Sequence, residues 1–195
     1  MKRKALLMCA SCTVKTLESY TARGISPIHI EDRNWNDYTL EQALQLRLMV
    51  QAAKSMDNDS AGLLARRAVD MLYPFTPFTY TGQDMFVALV RYDWPSAPEG
   101  WDCRQVVAGR WEDLHTKAQE FVTSLDDGAT LRSIEAYCVT DLAKEVWEEA
   151  HELGLPEGEA WPAAVSEDLT GYPEWFKEHE IARRKSIGLM PEDGE

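Results

Sequence analysis

The side chains able to do covalent or metal chemistry are few and scattered. The 195-residue chain holds four cysteines (Cys9, Cys12, Cys103, Cys138) and four histidines (His29, His115, His151, His179). Cys9-Ala10-Ser11-Cys12 has the C-x-x-C spacing of half a zinc site or of a redox pair. No second C-x-x-C or H-x3-H completes a four-ligand set, and the redox motif follows a strand, whereas Ala5–Ala10 has helical character. The pair therefore reads as two small apolar residues in a packed turn, with thiols kept reduced in a cytoplasm. Glu148, Glu149 and Glu152 surround His151 at helical spacing, the arrangement of a solvated acidic face. Phosphate-cradling glycine loops, the G-x-S-x-G elbow and H-E-x-x-H are all missing from the sequence. The expectation is a protein that is not an enzyme, with no catalytic residues, no metal and no cofactor. Six of the seven tryptophans (Trp94, Trp101, Trp111, Trp147, Trp161, Trp175) follow residue 90. They suit either a pocket for a flat apolar or cationic ligand, or a core at Trp111 and Trp147 with the others packed on loops.

The elements that position these residues begin with a short helical run at 4–10 and a break at Ser11-Cys12. Thr13 then caps a second helix, giving a helix-turn-helix. Periodicity places Val14, Leu17 and Thr21 on the inner face of that helix and Lys15, Glu18, Ser19 and Ala22 outside. Gly24 suits the left-handed position past its end, and Pro27 stops continuation. Residues 29–38 are polar with interleaved aromatics and read as an extended excursion. Thr39-Leu40-Glu41-Gln42 is a capping box opening a helix apolar on a wide face, and Asp57–Ser60 breaks and recaps the chain before a helix over 60–72.

Tyr73–Gly82 holds two prolines and a glycine, which marks a boundary. Beyond it, Met85–Val90 is an unbroken apolar run, expected as a central strand buried on both faces. Further strands at Gln105–Trp111 and Ile134–Val139 alternate with helices over 112–125 and 140–153, and a turn falls at Asp126-Asp127-Gly128. A last amphipathic helix over 173–185 precedes a polar tail. The division is 1–73, a linker 74–83, an α+β unit over 84–172 with a short sheet and flanking helices, and 173–195.

The run Thr13-Val14-Lys15-Thr16-Leu17-Glu18-Ser19-Tyr20-Thr21-Ala22-Arg23-Gly24-Ile25, with Arg33-Asn34-Trp35-Asn36-Asp37-Tyr38-Thr39 after it, resembles the MerR family of winged-helix transcription regulators. That family's recognition helix reads S-x-x-T-[LI]-R-x-Y-E-x-x-G-[LI], and its wing reads G-Y-R-x-Y. Thr13, Thr16, Leu17, Tyr20, Gly24 and Ile25 fit the first pattern, and Trp35 and Tyr38 fit the aromatic positions of the second. The resemblance covers about residues 1–72. It implies an N-terminal winged helix-turn-helix in which Lys15, Ser19, Asn34 and Asn36 contact duplex DNA. Thr13, Thr16, Tyr20 and Arg23 hold the backbone, and Trp35 belongs to the wing. Lys2, Arg3 and Lys4 add nonspecific attraction. The family's arginine after T-[LI] is Glu18 here, its wing arginine is Asn36, and its long dimerisation helix is replaced by the proline-rich segment.

Charge separates the two parts. The chain carries a net charge of -13, which excludes a uniformly basic nucleic-acid binder. Residues 1–70 contain ten basic and eight acidic side chains, and residues 71–195 contain ten and 25. The acidic excess therefore lies in the second part, which DNA repels. No apolar run approaches the ~20 residues of a membrane span, and no secretory signal follows Met1-Lys2-Arg3-Lys4. The expected function is a cytoplasmic, DNA-binding transcriptional regulator whose second part senses a ligand or contacts a protein partner, without membrane attachment. A homodimer would read palindromic sites. The rival is an acidic adaptor whose helix-turn-helix is a protein-docking scaffold.

Overall fold

The structure, a computed structural model, describes residues 1–29, 37–72, 84–125, 128–155 and Ile181. Its elements are α1 (Arg3–Cys9), α2 (Val14–Ala22), α3 (Leu40–Ala52), α4 (Asn58–Leu72), β1 (Phe86–Asp93), β2 (Arg104–Gly109), α5 (Trp111–Thr123), β3 (Thr130–Cys138) and α6 (Val139–Glu152). The class is α+β. The segments 30–36, 73–83 and 156–180 lie outside the described residues, as do Asp126, Asp127 and 182–195. With them go Asn34, Trp35 and Asn36, the linker and almost all of the expected last helix.

Local hydrogen-bond chemistry sets the helix ends. Thr13 accepts from the Thr16 N–H at the start of α2, and Thr39 and Gln42 form the reciprocal capping box of α3. At the end of α2, Gly24 takes φ +68, its N–H bonds the Thr21 carbonyl, and the Ile25 N–H reaches back to Tyr20 at 3.0 Å. That is a Schellman closure with glycine at its left-handed position. The end of α1 repeats the pattern with Ser11 at φ +47 and the Cys12 N–H on the Leu7 carbonyl. The helix expected over 60–72 begins two residues earlier, because Asp57 accepts from the Ser60 N–H at 2.8 Å and caps it.

The sheet is antiparallel in the order β2-β1-β3, so β1 is central, as its composition demanded. Val87, Ala88, Leu89 and Val90 are all fully buried. Alternation sends Ala88 and Val90 to a layer formed with Val107, Leu114, Ala118 and Val122, where α5 packs. Val87 and Leu89 point to the other face, into a core that holds Leu6, Leu17, Leu44, Met49, Leu64, Val139 and Val146. The N-terminal helices and α6 together thus cover one face of the sheet, and the residues before 73 and after 83 share one apolar core. β2 ends at Gly109, so Trp111 begins α5 instead of closing the strand, and it is 65% exposed against an expected core position. β3 starts at Thr130, four residues before the expected strand. Its alternating polar side chains had hidden it from an apolar-run criterion.

Polar bridges tie the layers. Arg47 of α3 contacts both Ser11 Oγ in the α1–α2 turn and Glu145 of α6. Ser55 and the Tyr137 hydroxyl lie 2.6 Å apart. Beneath α4, Arg91 donates to Asp57 at 3.0 Å and to Ser60 Oγ at 2.9 Å, while Arg104 donates to the same Ser60 Oγ at 2.7 Å. Partial burial pushes the Asp57 carboxyl up. The hydrogen bonds from Ser60 and Arg91 and the nearby Arg104 charge outweigh it, leaving the carboxyl at about 2.

Candidate nucleic-acid interface

α1 and α2 are joined by a four-residue turn, Ala10–Thr13; Cys9 at the end of α1 and Cys12 in the turn are both buried. Burial pushes the Cys12 thiol up to about 11, against the smaller opposite effect of a backbone hydrogen bond from Leu17. It is thus a protonated, apolar filler at neutral pH. The four cysteines form no disulfide. Ala10 and Leu17 are also fully buried, so the turn is pinned to the core between its two helices.

α2 buries Leu17 (0% exposed) and Tyr20 (7%), with Ile25 beyond its end. Val14 is 51% exposed and Thr21 faces out, so the inner face is Leu17 and Tyr20 and not Val14, Leu17 and Thr21. Tyr20, expected to hold a DNA backbone, has its side chain in the core. Burial raises its hydroxyl above the usual range, and Cys12 adds to the shift while Arg23 opposes it. Thr13 and Thr16 bond each other, Oγ1 to Oγ1 at 2.8 Å, in addition to the cap.

What remains on the outer side is a stripe. Lys15, Ser19 and Arg23 are all exposed and stand at i, i+4 and i+8, one above another along the helix. Lys15 has no ion-pair partner among the described residues, and Arg23 lies 3.9 Å from Asp59. Glu18, whose charge opposes a polyanion, is paired with Arg3 of α1 at 3.4 Å. Sequence reading missed that pair, since 15 residues separate its members. Such an exposed pair is weak in stability, yet it offsets the Glu18 charge beside the stripe. Lys2 pairs with Asp37 at 2.8 Å in the same way. Asn34, Trp35 and Asn36, expected in a wing, are outside the described residues, but the segment that follows them is anchored. The Tyr38 N–H donates to the Met1 carbonyl at 2.8 Å, and Tyr38 is buried.

The far end of α2 is held by α4. Arg66 donates to the Ile25 carbonyl at 3.1 Å. A Cβ placed on Gly62 would lie 2.6 Å from that same carbonyl oxygen. The signal for this contact was legible as an isolated glycine within an otherwise periodic helix. Among the described residues Asp84, Cys138 and Asp141 bring three metal-competent atoms within 4.8 Å of one another, and burial pushes Cys138 up to about 11. Both carboxylates of that group are exposed, and exposed acidic groups of this kind are common without a bound ion.

No helix among the described residues is long and apolar enough to cross a membrane. No family model matches the chain, and no curated protein matches it.

Proposed function

We propose that the protein is a DNA-binding transcriptional regulator of MerR-like type, in which α2 reads duplex DNA and the sheet half senses a ligand or contacts a protein. The observation that carries this reading is the exposed stripe Lys15–Ser19–Arg23 on the second helix of a helix-turn-helix, with Glu18 neutralised by Arg3. Lysine in the first turn of such a helix and serine one turn further on suit base edges and phosphates, and arginine at its C-terminal end suits a phosphate. Thr13 and Thr16 sit at the N-terminal end beside Lys15, each with a hydroxyl that can turn from its partner to a phosphate. The acidic second half adds no attraction, so affinity depends on few contacts and falls with salt.

The test is fluorescence anisotropy of the full chain with genomic duplexes across a salt series. Lys15→Ala should weaken binding about equally on all sequences and flatten the salt slope by about one unit. No binding to any fragment at low salt refutes the reading. A second reading is favoured by Met8 (40% exposed) and Val14 (51%), two large apolar side chains presented by the same helix pair. In that case the unit docks a protein, and a complex that survives nuclease treatment and is broken by Val14→Asp would support it.

A further inference from the structure

The turn between β1 and β2 builds a cleft of about 590 Å³, within the size range of ligand sites. We propose that it holds the Pro74-Phe75-Thr76-Pro77 segment of a second copy of the chain, so that two copies dimerise by exchanging that segment. The contact involves neither α2 nor DNA, and it stands or falls separately from the regulator reading.

The cleft offers a preformed apolar surface. Trp101 lines it and is 67% exposed, a large ring that its own chain leaves uncovered. Tyr92, Pro95 and Pro98 line it as well, and the Tyr92 ring stands edge-on against Phe121 with ring centres 5.4 Å apart. The loop is internally braced. Ala97 N–H bonds the Trp94 carbonyl at 2.9 Å, Trp101 N–H bonds the Pro98 carbonyl at 3.1 Å, and Tyr92 N–H bonds the Cys103 carbonyl at 3.1 Å. Aromatic-lined grooves of this kind receive proline-rich segments as polyproline II, a conformation that costs little entropy to fix.

The chain carries a segment that matches in shape and charge. Tyr73–Gly82 contains Pro74 and Pro77, four aromatic residues and no charge. With three residues per turn, polyproline II puts both prolines on one face. The other P-x-x-P of the sequence, Pro95-Ser96-Ala97-Pro98, belongs to the loop of the cleft itself. The ionised side chains of the lining are Arg91, Arg132, Asp93 and Asp102, which balance. They already pair, Arg91 with Asp102 at 3.3 Å and Arg132 with Asp93 at 3.8 Å. A charged occupant must compete with these pairs, and an uncharged segment leaves them intact.

Reach assigns the segment to another copy. Arg91 of the cleft donates to Ser60 Oγ at 2.9 Å, near the start of α4. Leu72, at the other end of that helix, is ~18 Å from Ser60 at 1.5 Å per residue. Pro74 follows Leu72 by two residues and lies within ~7 Å of it. Even a chain running straight back along α4 leaves Pro74 ~11 Å short of Ser60. Both prolines can therefore enter only the cleft of another copy. Two copies that exchange segments make the contact twice, and the first contact raises the effective concentration for the second, which selects a closed dimer over an open chain.

The test is sedimentation velocity of the full chain from about 1 µM to about 1 mM, a range that brackets weak association, without DNA. A monomer–dimer equilibrium is expected. Trp101→Ala, at an exposed position, and the double variant Pro74→Ala/Pro77→Ala should each weaken it at least about 10-fold. An equimolar mixture of the two variants should associate more tightly than either alone, because the first supplies an intact segment and the second an intact cleft. Excess synthetic peptide Tyr73–Gly82 should break the parent dimer, and the same peptide with Pro74→Ala/Pro77→Ala should require about 10-fold more. A chain that stays monomeric overturns the proposal, as does a dimer of parental strength in either variant or a mixture no tighter than its parts. Species larger than a dimer overturn the reciprocal exchange. The peptide arm uses only the parent protein, so a parent dimer unmoved by it overturns the proposal even where a variant fails to fold.

Discussion

Replacing Gly62 with alanine should destabilise the protein, although alanine is the better helix former by about 1 kcal/mol. The new Cβ would stand 2.6 Å from the Ile25 backbone carbonyl, with Arg66 Nη1 at 3.4 Å and Ile25 Cβ at 3.5 Å. The oxygen is carried by Ile25, whose N–H closes the Schellman turn of α2 on the Tyr20 carbonyl, so it cannot move alone, and α4 must retreat by a large part of an ångström. Overpacking of this kind costs about 1–3 kcal/mol. The retreat also stretches the 3.1 Å bond from Arg66 to that carbonyl, worth about 1 kcal/mol, which offsets the gain in propensity. The net loss is then about 1–3 kcal/mol. For a chain of this size that lowers Tm by roughly 2–12 °C, read by thermal and urea denaturation followed by far-UV circular dichroism. Arg66→Met alone adds no atom at the contact and should cost only about 1 kcal/mol, so the excess measures the clash. A Gly62→Ala protein that melts higher than the parent would refute the claimed close approach of α4 to the end of α2.

Four further outcomes are expected. Ser11→Gly should raise Tm slightly, because Ser11 sits at φ +47 where an L side chain costs about 1–2 kcal/mol; the lost contact with Arg47 offsets only part of this, and a lower Tm would show that contact dominates. The Asp57 carboxyl is depressed to about 2 in the fold against about 3.9 unfolded. Its contribution is therefore complete above pH 4 and lost as pH falls toward 2. Melting curves of Asp57→Asn should show a shallower Tm decline between pH 4 and 2 than the parent, and parallel declines would refute the assignment. Glu18→Gln, which releases Arg3, should tighten DNA binding and steepen its salt dependence by about one unit in an anisotropy titration; an unchanged slope would mean that Arg3 does not reach the duplex. Cys12 and Cys138, both raised to about 11, should resist iodoacetamide at pH 8 in the folded chain and react on unfolding, as read by peptide mass spectrometry.

Several features were legible in the sequence because they are local. The Thr39–Gln42 capping box, the Thr13 cap and the glycine closure at Gly24 each satisfy orphan backbone groups from within a few residues, so spacing alone specifies them. The apolar run of β1 announced a strand covered on both faces, and both coverings are present. What the sequence left open was which helix residues meet the core. Val14 and Tyr20 stand three positions either side of Leu17, and periodicity weights them equally. Tyr20 is the covered one, toward the end of α2 where Ile25 and Gly62 bring α4 close, while Val14 projects outward at the opposite end. Trp111 failed for a related reason. Its size suggested core, but it begins a helix at the rim of the sheet and only leans on Phe86, with ring centres 5.3 Å apart.

The chemistry of this chain divides along the same line. Residue types and spacing determined two short N-terminal helices joined by a capped turn, an α+β class and a strong acidic bias in the second half. Only the tertiary structure decided that Glu18 is answered by Arg3, that Arg91 and Arg104 gather Asp57, Ser60 and Asp102 into one network, and that a tryptophan-lined cleft opens beside it. Backbone hydrogen bonds close over three to five residues and are written in the local sequence. Side-chain charges act through space over a few ångströms, and which of them come that close is settled by how the helices pack on the sheet.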